Sequence, residues 1–508
     1  MTQVNRPNIL WSCTDQQRFD TIHALGNPHI NTPNLDRLVA EGVAFTHAFC
    51  QSPICTPSRA SFLTGRYPAN VRGCMNGNEE WGEGAPLVTA LLAESGYDCG
   101  LSGKFHLAGA HGREEPRPED DGYRVFHWSN DPEDRYPSGH AYADWLAAQG
   151  FALRDLREDP ASIPPELHQT TWCTDRAIDF LSEKRPKGPW LMSVNVFDPH
   201  SPFDLPQEYR DRYDEAKMPD PLFRQSDIAT QSAIPRDFPN PSRPPQDFNA
   251  QDVIAAYYAM IELIDDNVGR LLDALEESGQ RQNTVFIFTS DLGEMLGGHG
   301  LITKGCRFYE GEVRVPLIIS WPGQFPLQEE PASPDSPEDD GSGEEEETTT
   351  GVSNDSASDD SPAPAGFVSS ALVELIDIAP TLLELAGLPI PLRMHGRSLL
   401  AILRGEQPPN QHRDFVRCEF DRAQNPAVVT RAKYEGSYAT IYRDASHKIV
   451  VYHGHEQGEF YDLEKDSGEF ENLWNDPDHA DLRFDLMRRN FDASAFSVDP
   501  GPPQKTPF

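Results

Sequence analysis

The run Asn8-Ile9-Leu10-Trp11-Ser12-Cys13, continuing through Thr14 into Asp15-Gln16, decides the fold. A short, mostly apolar run without alternating polarity reads as a strand buried on both faces, the habit of a parallel sheet covered on both sides by helices. The same texture returns at 190–197, 284–289 and 316–321, so these too are expected to be buried parallel strands. Amphipathic helices lie between them. Thr32-Pro33 is expected to cap a helix with Leu35, Leu38 and Val39 on one face, stopped by Gly42. Residues 170–184 form another, and the longest runs over 251–278 with Tyr257, Ile261, Ile264, Val268 and Leu271 along its face before Gly279. Strands alternating with helices specify an α/β fold with a mostly parallel central sheet and helices on both faces.

After about residue 407 the texture changes. Residues 438–442 and 448–453 alternate like exposed antiparallel strands, and 459–463 follows. We therefore expect a catalytic domain over 1–406 and a C-terminal subdomain over 407–508, built of a small antiparallel sheet and a tail. Within the first lies 324–366, rich in Pro, Ser, Thr, Gly, Glu and Asp, with thirteen acids and no base between Glu329 and Asp360. Such a composition cannot bury enough apolar surface to order itself, so it reads as a disordered, solvated insertion.

The 508 residues carry 81 acidic and 43 basic side chains, a net charge of −38. That excludes nucleic acid as the main partner, since phosphate binding needs a basic face, and equally argues against docking on anionic lipid. No run of eighteen apolar residues exists, so no membrane span is expected. The start, Met1 to Arg6, lacks a signal peptide's apolar stretch, which predicts a cytoplasmic protein. The eight cysteines are scattered without a Cys-x-x-Cys pair, so neither structural zinc nor a disulfide framework is expected. Oligomeric state is not legible.

In an open α/β sheet, function gathers beyond the carboxyl ends of the strands. The first strand runs into Asp15-Gln16, that at 190–197 into Asp198-Pro199-His200, that at 284–289 into Ser290-Asp291, and 97–101 into Lys104 and His106. Carboxylates, an amide, imidazoles and a lysine are thus expected to converge at one sheet edge.

The most specific segment is Cys55-Thr56-Pro57-Ser58-Arg59, followed by Leu63-Thr64-Gly65. It resembles the Cys-x-Pro-Ser-Arg…Leu-Thr-Gly signature of the type I, formylglycine-dependent sulfatases of the alkaline phosphatase superfamily. Gly103-Lys104-Phe105-His106-Leu107, Pro199-His200-Ser201-Pro202-Phe203, Ser290-Asp291-Leu292-Gly293-Glu294 and Glu459-Phe460-Tyr461-Asp462-Leu463 are similar to further landmarks of that family. The resemblance covers most of the chain outside the acidic insertion and the last thirty or so residues.

The resemblance implies a sulfuric ester hydrolase. Cys55 would be oxidised to formylglycine by a formylglycine-generating enzyme. Its hydrate offers two hydroxyls on one carbon: one attacks sulfur and expels the alcohol, and deprotonation of the other releases sulfate. Asp15, Gln16, Asp291 and residue 55 are the implied metal ligands. Gln16 stands where the family commonly has a second aspartate, so the site is less negative by one charge. Oxygen ligation fits Ca2+, with Mg2+ or Mn2+ as alternatives. Arg59, Lys104 and Lys304 are implied to surround the sulfonyl oxygens, His106 to remove the second hydroxyl proton, and His200 or Lys304 to protonate the leaving oxygen. The substrate class this implies is a small sulfate ester, on family grounds a sugar sulfate. His168 and the loop from Asn76 to Trp81 are candidates for the pocket lining, beside an ordinary packing role; His299 is not promoted.

One departure stands out. Many relatives carry Asn or His as a further ligand immediately after the second metal aspartate; here it is Leu292, which has no donor. Two other readings follow: a phosphonate or phosphate ester hydrolase of the same superfamily, and a weakly catalytic paralogue that binds sulfated ligands.

Overall fold

Strand β1 (Asn8–Thr14) is buried along its whole length and lies between two parallel neighbours, β5 (Trp190–Asn195) and β6 (Thr284–Ser290). The computed structural model describes residues 6–71, 76, 81, 85–109, 114–131, 139–185, 188–234, 240–325, 366–421 and 438–498. The acidic stretch 324–366 and the tail from 499 onward fall wholly or almost wholly outside these.

From one edge the sheet order is β4 (Tyr123–Trp128), β3 (Asp98–Gly103), β5, β1, β6, β8 (Leu317–Ser320), β2 (Gly42–Phe49) and β7 (Arg314–Val315), with β9 (Phe367–Glu374) also paired to β2. The first five are mutually parallel. Successive side chains of one strand face opposite layers, as the pleat requires. Ile9, Trp11 and Ile287 enter one apolar cluster, while Leu10, Phe286 and Phe288 enter another on the far face. Each such burial contributes about 1.5–3 kcal/mol, which is why polarity does not alternate along these strands. The helices Gln169–Ser182 and Ala250–Glu277 cover the second face; helix α2 (Cys55–Thr64) packs into the first.

Two local expectations are corrected. The strand expected at 316–321 is buried, but β8 runs antiparallel to both β6 and β2. After β6 the chain loops at the same sheet edge through a 3-10 turn at Gly298–Gly300 and the short helix Glu310–Val313, with no crossover helix to carry it to the other end, so it returns in the opposite direction. Helix α1 (Pro33–Ala40) is not capped by the Thr32 side chain. The Asp265 carboxylate, from the long helix, accepts from the N–H groups of Asn34 and Leu35 at 3.1 and 2.7 Å.

The second sheet is antiparallel, in the order β10 (Val416–Phe420), β11 (Ala439–Arg443), β12 (His447–Tyr452) and β13 (Gly458–Asp462). Its strands are not exposed as their alternation suggested. Ile441, Val450 and Tyr452 join the cluster of the main sheet, while Tyr442, Ile449 and Phe460 pack with Leu486 of the helix Ala480–Ala495. The polar positions are buried as partners: Glu459 accepts from Tyr461 at 2.7 Å, and Lys448 pairs with Glu469 and donates to the Phe308 carbonyl at 2.6 Å. The seven described cysteines are buried and unbridged. Among the described residues no helix is long and apolar enough to cross a membrane.

Candidate active site

The ends of β3, β5, β1 and β6 are level. Gly103 and Cys13 both stand opposite Asn195, and Cys13 stands opposite Thr289. Four loops therefore start at one height and deliver Lys104, Asp198, Asp15 and Asp291 to one place. Asp15 N–H donates to the Asp198 carbonyl at 3.1 Å and Asp291 N–H to the Thr14 carbonyl at 3.2 Å, tying neighbouring loops together.

Cys55 opens α2, a helix whose ten side chains are all buried and which Gly65 ends in the left-handed conformation. Asn76 Oδ1 accepts from Thr56 N–H at 2.9 Å at the helix start. The Cys55 thiol lies 3.4 Å from Asp15 Oδ1 and accepts from Lys304 Nζ at 2.7 Å and Lys104 Nζ at 3.6 Å. Burial, then the charge of Asp15, pushes this thiol up to about 11 despite both lysines. An unmodified Cys55 is therefore protonated at neutral pH and a poor nucleophile. One turn on, Arg59 is 1% exposed; its Nε donates to Asp291 Oδ2 at 2.8 Å and its Nη1 to the Lys104 carbonyl at 3.1 Å. Its Nη2 has no hydrogen-bond partner among the described residues and is 3.9 Å from Asp15 Oδ2.

Donor atoms of Asp15, Cys55 and Asp291 lie within 4.8 Å of one another, all buried. Gln16 sits beside them at φ 71°, a left-handed conformation that a residue with a Cβ adopts only when its surroundings enforce it. Its N–H donates to Asp291 Oδ1 at 3.1 Å, and its side-chain Nε2 donates to the buried Glu294 carboxylate. That leaves Gln16 Oε1 a buried acceptor without a partner among the described residues. Two carboxylates and an orphaned amide oxygen fit a hard divalent cation. Burial would raise the Asp15 carboxyl, but Lys104, then Lys304, hold it well below the usual range; at Asp291 burial outweighs Arg59 and the carboxyl is pushed up. Such a cation would relieve that tension.

Lys104 Nζ pairs with Asp15, and Lys304 Nζ lies 3.6 Å from Asp15 Oδ1. Burial would lower Lys304, but the neighbouring Cys55 and Asp15 raise it, so it stays protonated. His106, at φ 58°, has a buried Nδ1 without a partner among the described residues, and burial followed by Lys104 holds the ring neutral, well below the usual imidazole range. His200 Nδ1 meets the Ser201 carbonyl, and its ring lies 4.7 Å from that of Phe197. Burial and Lys304 lower it to about 3.

Three carboxylates at the site are not singled out from the sequence, although Glu294 closes the segment 290–294. Glu115 accepts from the N–H groups of His106, Leu107 and Ala108 and from Trp128 Nε1, a buried carboxylate that pins the His106 loop. Glu294 accepts from Gln16, Leu296 N–H and Thr303 N–H, the last next to Lys304. Glu312 accepts from Gly305 N–H at 2.6 Å on the other side of that lysine. Other residues named from the sequence are held in packing or capping contacts. Leu292 is fully buried in the apolar cluster beneath the site. His168 caps the helix Gln169–Ser182, accepting from Thr170 N–H, while its Nε2 meets the Asp204 carbonyl at 2.8 Å. His299 stacks on Tyr309 at 3.9 Å. Trp81 packs against the main cluster; residues 77–80 of that loop lie outside the described residues.

Comparison with known proteins gives a concordant picture. A family model described as Sulfatase matches residues 7–388, and one described as N-sulphoglucosamine sulphohydrolase, C-terminal, matches 362–494. An arylsulfatase of Clostridium perfringens is 29% identical over 517 residues, covering 95% of this chain and 93% of the relative. An N-acetylglucosamine-6-O-sulfatase of Bacteroides thetaiotaomicron is 25% identical over 549 residues, covering 96% and 86%. Among solved structures, the phosphonate monoester hydrolase of Agrobacterium radiobacter superposes with a TM-score of 0.76 at 26% identity, covering 97% of this chain and 96% of the other.

Proposed function

The chain belongs to the sulfatase family of the alkaline phosphatase superfamily, and from that premise we propose that it hydrolyses a sulfate monoester to an alcohol and inorganic sulfate, using residue 55 in its formylglycine form, on a sulfated carbohydrate. The observation that carries this reading is the convergence of Lys104, Lys304 and Asp15 within 3.6 Å of Cys55 Sγ at the start of a buried helix. The catalytic domain is taken as 1–406, with 407–508 as a C-terminal subdomain.

Sulfate esters resist water because the nucleophile is weak and the ester is an anion. Lys104, Lys304 and Arg59 answer the second difficulty by placing three fixed cations around one point, where charge developing on the sulfonyl oxygens needs no reorganisation to be stabilised. A divalent cation held by Asp15, Asp291 and Gln16 Oε1, Ca2+ or alternatively Mg2+ or Mn2+, would add Lewis-acid polarisation. Hydrated formylglycine supplies the nucleophilic hydroxyl that the protonated thiol does not. His106, neutral and with no partner for its Nδ1 among the described residues, is equipped to accept a proton. Of the two candidates for protonating the leaving oxygen, Lys304 is favoured. Its Nζ lies 2.7 Å from the Cys55 Sγ position, whereas His200 presents its Nδ1 to the Ser201 carbonyl.

The decisive test is the mass of the peptide containing residue 55 after co-expression with a formylglycine-generating enzyme. Conversion of thiol to aldehyde is expected; only unmodified thiol, in a preparation that still turns over sulfate esters, overturns the mechanism. The sugar assignment draws support from the glucosamine sulfatase relative, and a panel of sulfated monosaccharides beside choline sulfate tests it.

The likeness to a phosphonate monoester hydrolase favours a second reading, cleavage of phosphonate or phosphate esters. Turnover of nitrophenyl sulfate against nitrophenyl phosphate and phosphonate esters separates the two. A third, ligand binding with little turnover, rests on Leu292. It fails if the purified protein holds one equivalent of metal and turns over a sulfate ester rapidly.

A further inference from the structure

Helix α2 has a second functional-looking end. Beyond Gly65, roughly 15 Å of helix from Cys55, a cavity of about 320 Å3 opens between Tyr67, the segment 395–417 and the C-terminal helix. The proposed catalytic site does not use it. Its charged lining is Arg397, Arg413, Arg417 and Arg489 against a single carboxylate, Asp492, in a chain whose net charge is −38.

The four guanidinium groups are not equally neutralised. Arg413 is spent on Asp377 and on Glu374, at 3.2 Å from the latter. Arg417 pairs with Glu419 at 3.3 Å, donates to Ser497 Oγ at 2.9 Å and Ser494 Oγ at 3.0 Å, and lies 4.5 Å over the Tyr67 ring, so it is engaged in the wall. Arg489 reaches Asp485 at 2.7 Å with a side chain 47% exposed. Arg397 is exposed and donates to the His412 carbonyl at 3.4 Å, with no carboxylate within ion-pair distance among the described residues. Asp492 is already engaged by Arg488 at 2.8 Å. Of the four, Arg397 alone has no carboxylate partner among the described residues, and Arg489 is half exposed, so the cavity presents guanidinium groups with one positive charge uncompensated. Apolar walls complete it: Phe415 and Tyr442 stack at 4.8 Å, and Phe496 stands 87% exposed.

We propose that this cavity is a second binding site, separate from the Cys55 site, for a monosaccharide carrying a tetrahedral oxyanion ester. Planar guanidinium groups match sulfate or phosphate oxygens, and aromatic faces accept the C–H face of a pyranose ring. The volume stands at the lower end for small-molecule sites and suits one sugar ring. The assignment does not depend on the activity at Cys55.

Equilibrium dialysis of the full chain carrying Cys55→Ala, which cannot turn over substrate, tests this with labelled N-acetylglucosamine 6-sulfate, N-acetylglucosamine 6-phosphate and unmodified N-acetylglucosamine. Adding Arg397→Ala with Arg489→Ala is expected to remove one bound 6-sulfate per chain by lowering its affinity about tenfold or more. The Arg397→Lys, Arg489→Lys pair, which keeps the charge but not the planar fork, should restore it only in part. Competition by the 6-phosphate would widen the class to both oxyanion esters, and its absence would confine it to sulfates. Unchanged stoichiometry in the alanine pair, or equal binding of the unmodified sugar at the affected site, overturns the proposal. Turnover of nitrophenyl sulfate by the otherwise wild-type alanine pair should be unaffected. Absence of turnover in the wild type would count against the sulfatase reading and leave the dialysis result standing.

Discussion

The side-chain amide of Gln16 donates to the buried carboxylate of Glu294, and this one bond decides which way Gln16 Oε1 faces. A glutamine amide can rotate by half a turn and exchange donor for acceptor; an ionised Glu294, which only accepts, fixes it. Glu294→Ala is therefore expected to weaken metal binding about 10–100-fold, the range typical of partners that orient a ligand. Metal content after dialysis against graded chelator measures this. Retention equal to wild type, in a protein of unchanged thermal midpoint, would show that Gln16 does not contribute.

Leu292 belongs to the packed interior rather than to the ligand set. Leu292→His, which would install a donor at that position, is expected to destabilise the fold by about 2–5 kcal/mol and to leave metal affinity no better. Denaturant unfolding with parallel metal titration reads both quantities. A variant that binds metal more tightly at no loss of stability would refute this placement.

Glu115 receives four donors, three of them consecutive backbone N–H groups of the His106 loop. Glu115→Ala strands them at about 1–3 kcal/mol each, partly relieved by water, and is expected to lower kcat/KM at least tenfold by misplacing His106. Glu115→Gln should recover part of the loss. Activity that survives Glu115→Ala intact would mean that the loop is held by its neighbours.

His140 caps the helix Ala141–Ala148, and two backbone N–H groups, from Asn130 and Ala143, point at its ring nitrogens at 3.1 and 3.3 Å. A neutral imidazole can accept one of them and an imidazolium neither, and burial lowers the group to about 4. The folded pKa lies below the unfolded value of about 6.5, so the unfolded chain binds the proton first. Stability from this residue is intact above pH 6.5 and falls by about 2 kcal/mol between pH 7 and pH 5. Thermal unfolding across that range, compared with His140→Asn, measures the contribution; parallel curves for the two proteins would contradict it.

Much of the fold and of the candidate site was legible because its carriers are consecutive residues. The Asn8–Thr14 run, the Cys55 segment and the strand ends at Lys104 and Asp291 each announce themselves locally, and parallel pairing brings them level. What escaped depends on partners distant in the chain. Glu115 lies in an Arg-Glu-Glu-Pro stretch that reads as a surface loop, and only the fold turns its carboxylate inward. Asp265 was hidden on the polar side of an amphipathic helix, although it caps a helix 230 residues away. The direction of Leu317–Ser320 is a property of the connection before it, and apolar content says nothing about direction. The alternation of β11 to β13 was visible, but charges such as Lys448 suggested solvent where there was a buried ion pair.

The complete burial of helix α2 has a temporal consequence. Cys55 is 1% exposed, at the head of a helix with no exposed side chain, beneath loops from four strands. A maturation enzyme cannot dock on a residue so enclosed, so any oxidation of Cys55 has to precede closure of the chain around it. Folding and maturation would then compete, and slower folding would raise the fraction of molecules that emerge with a modified residue 55.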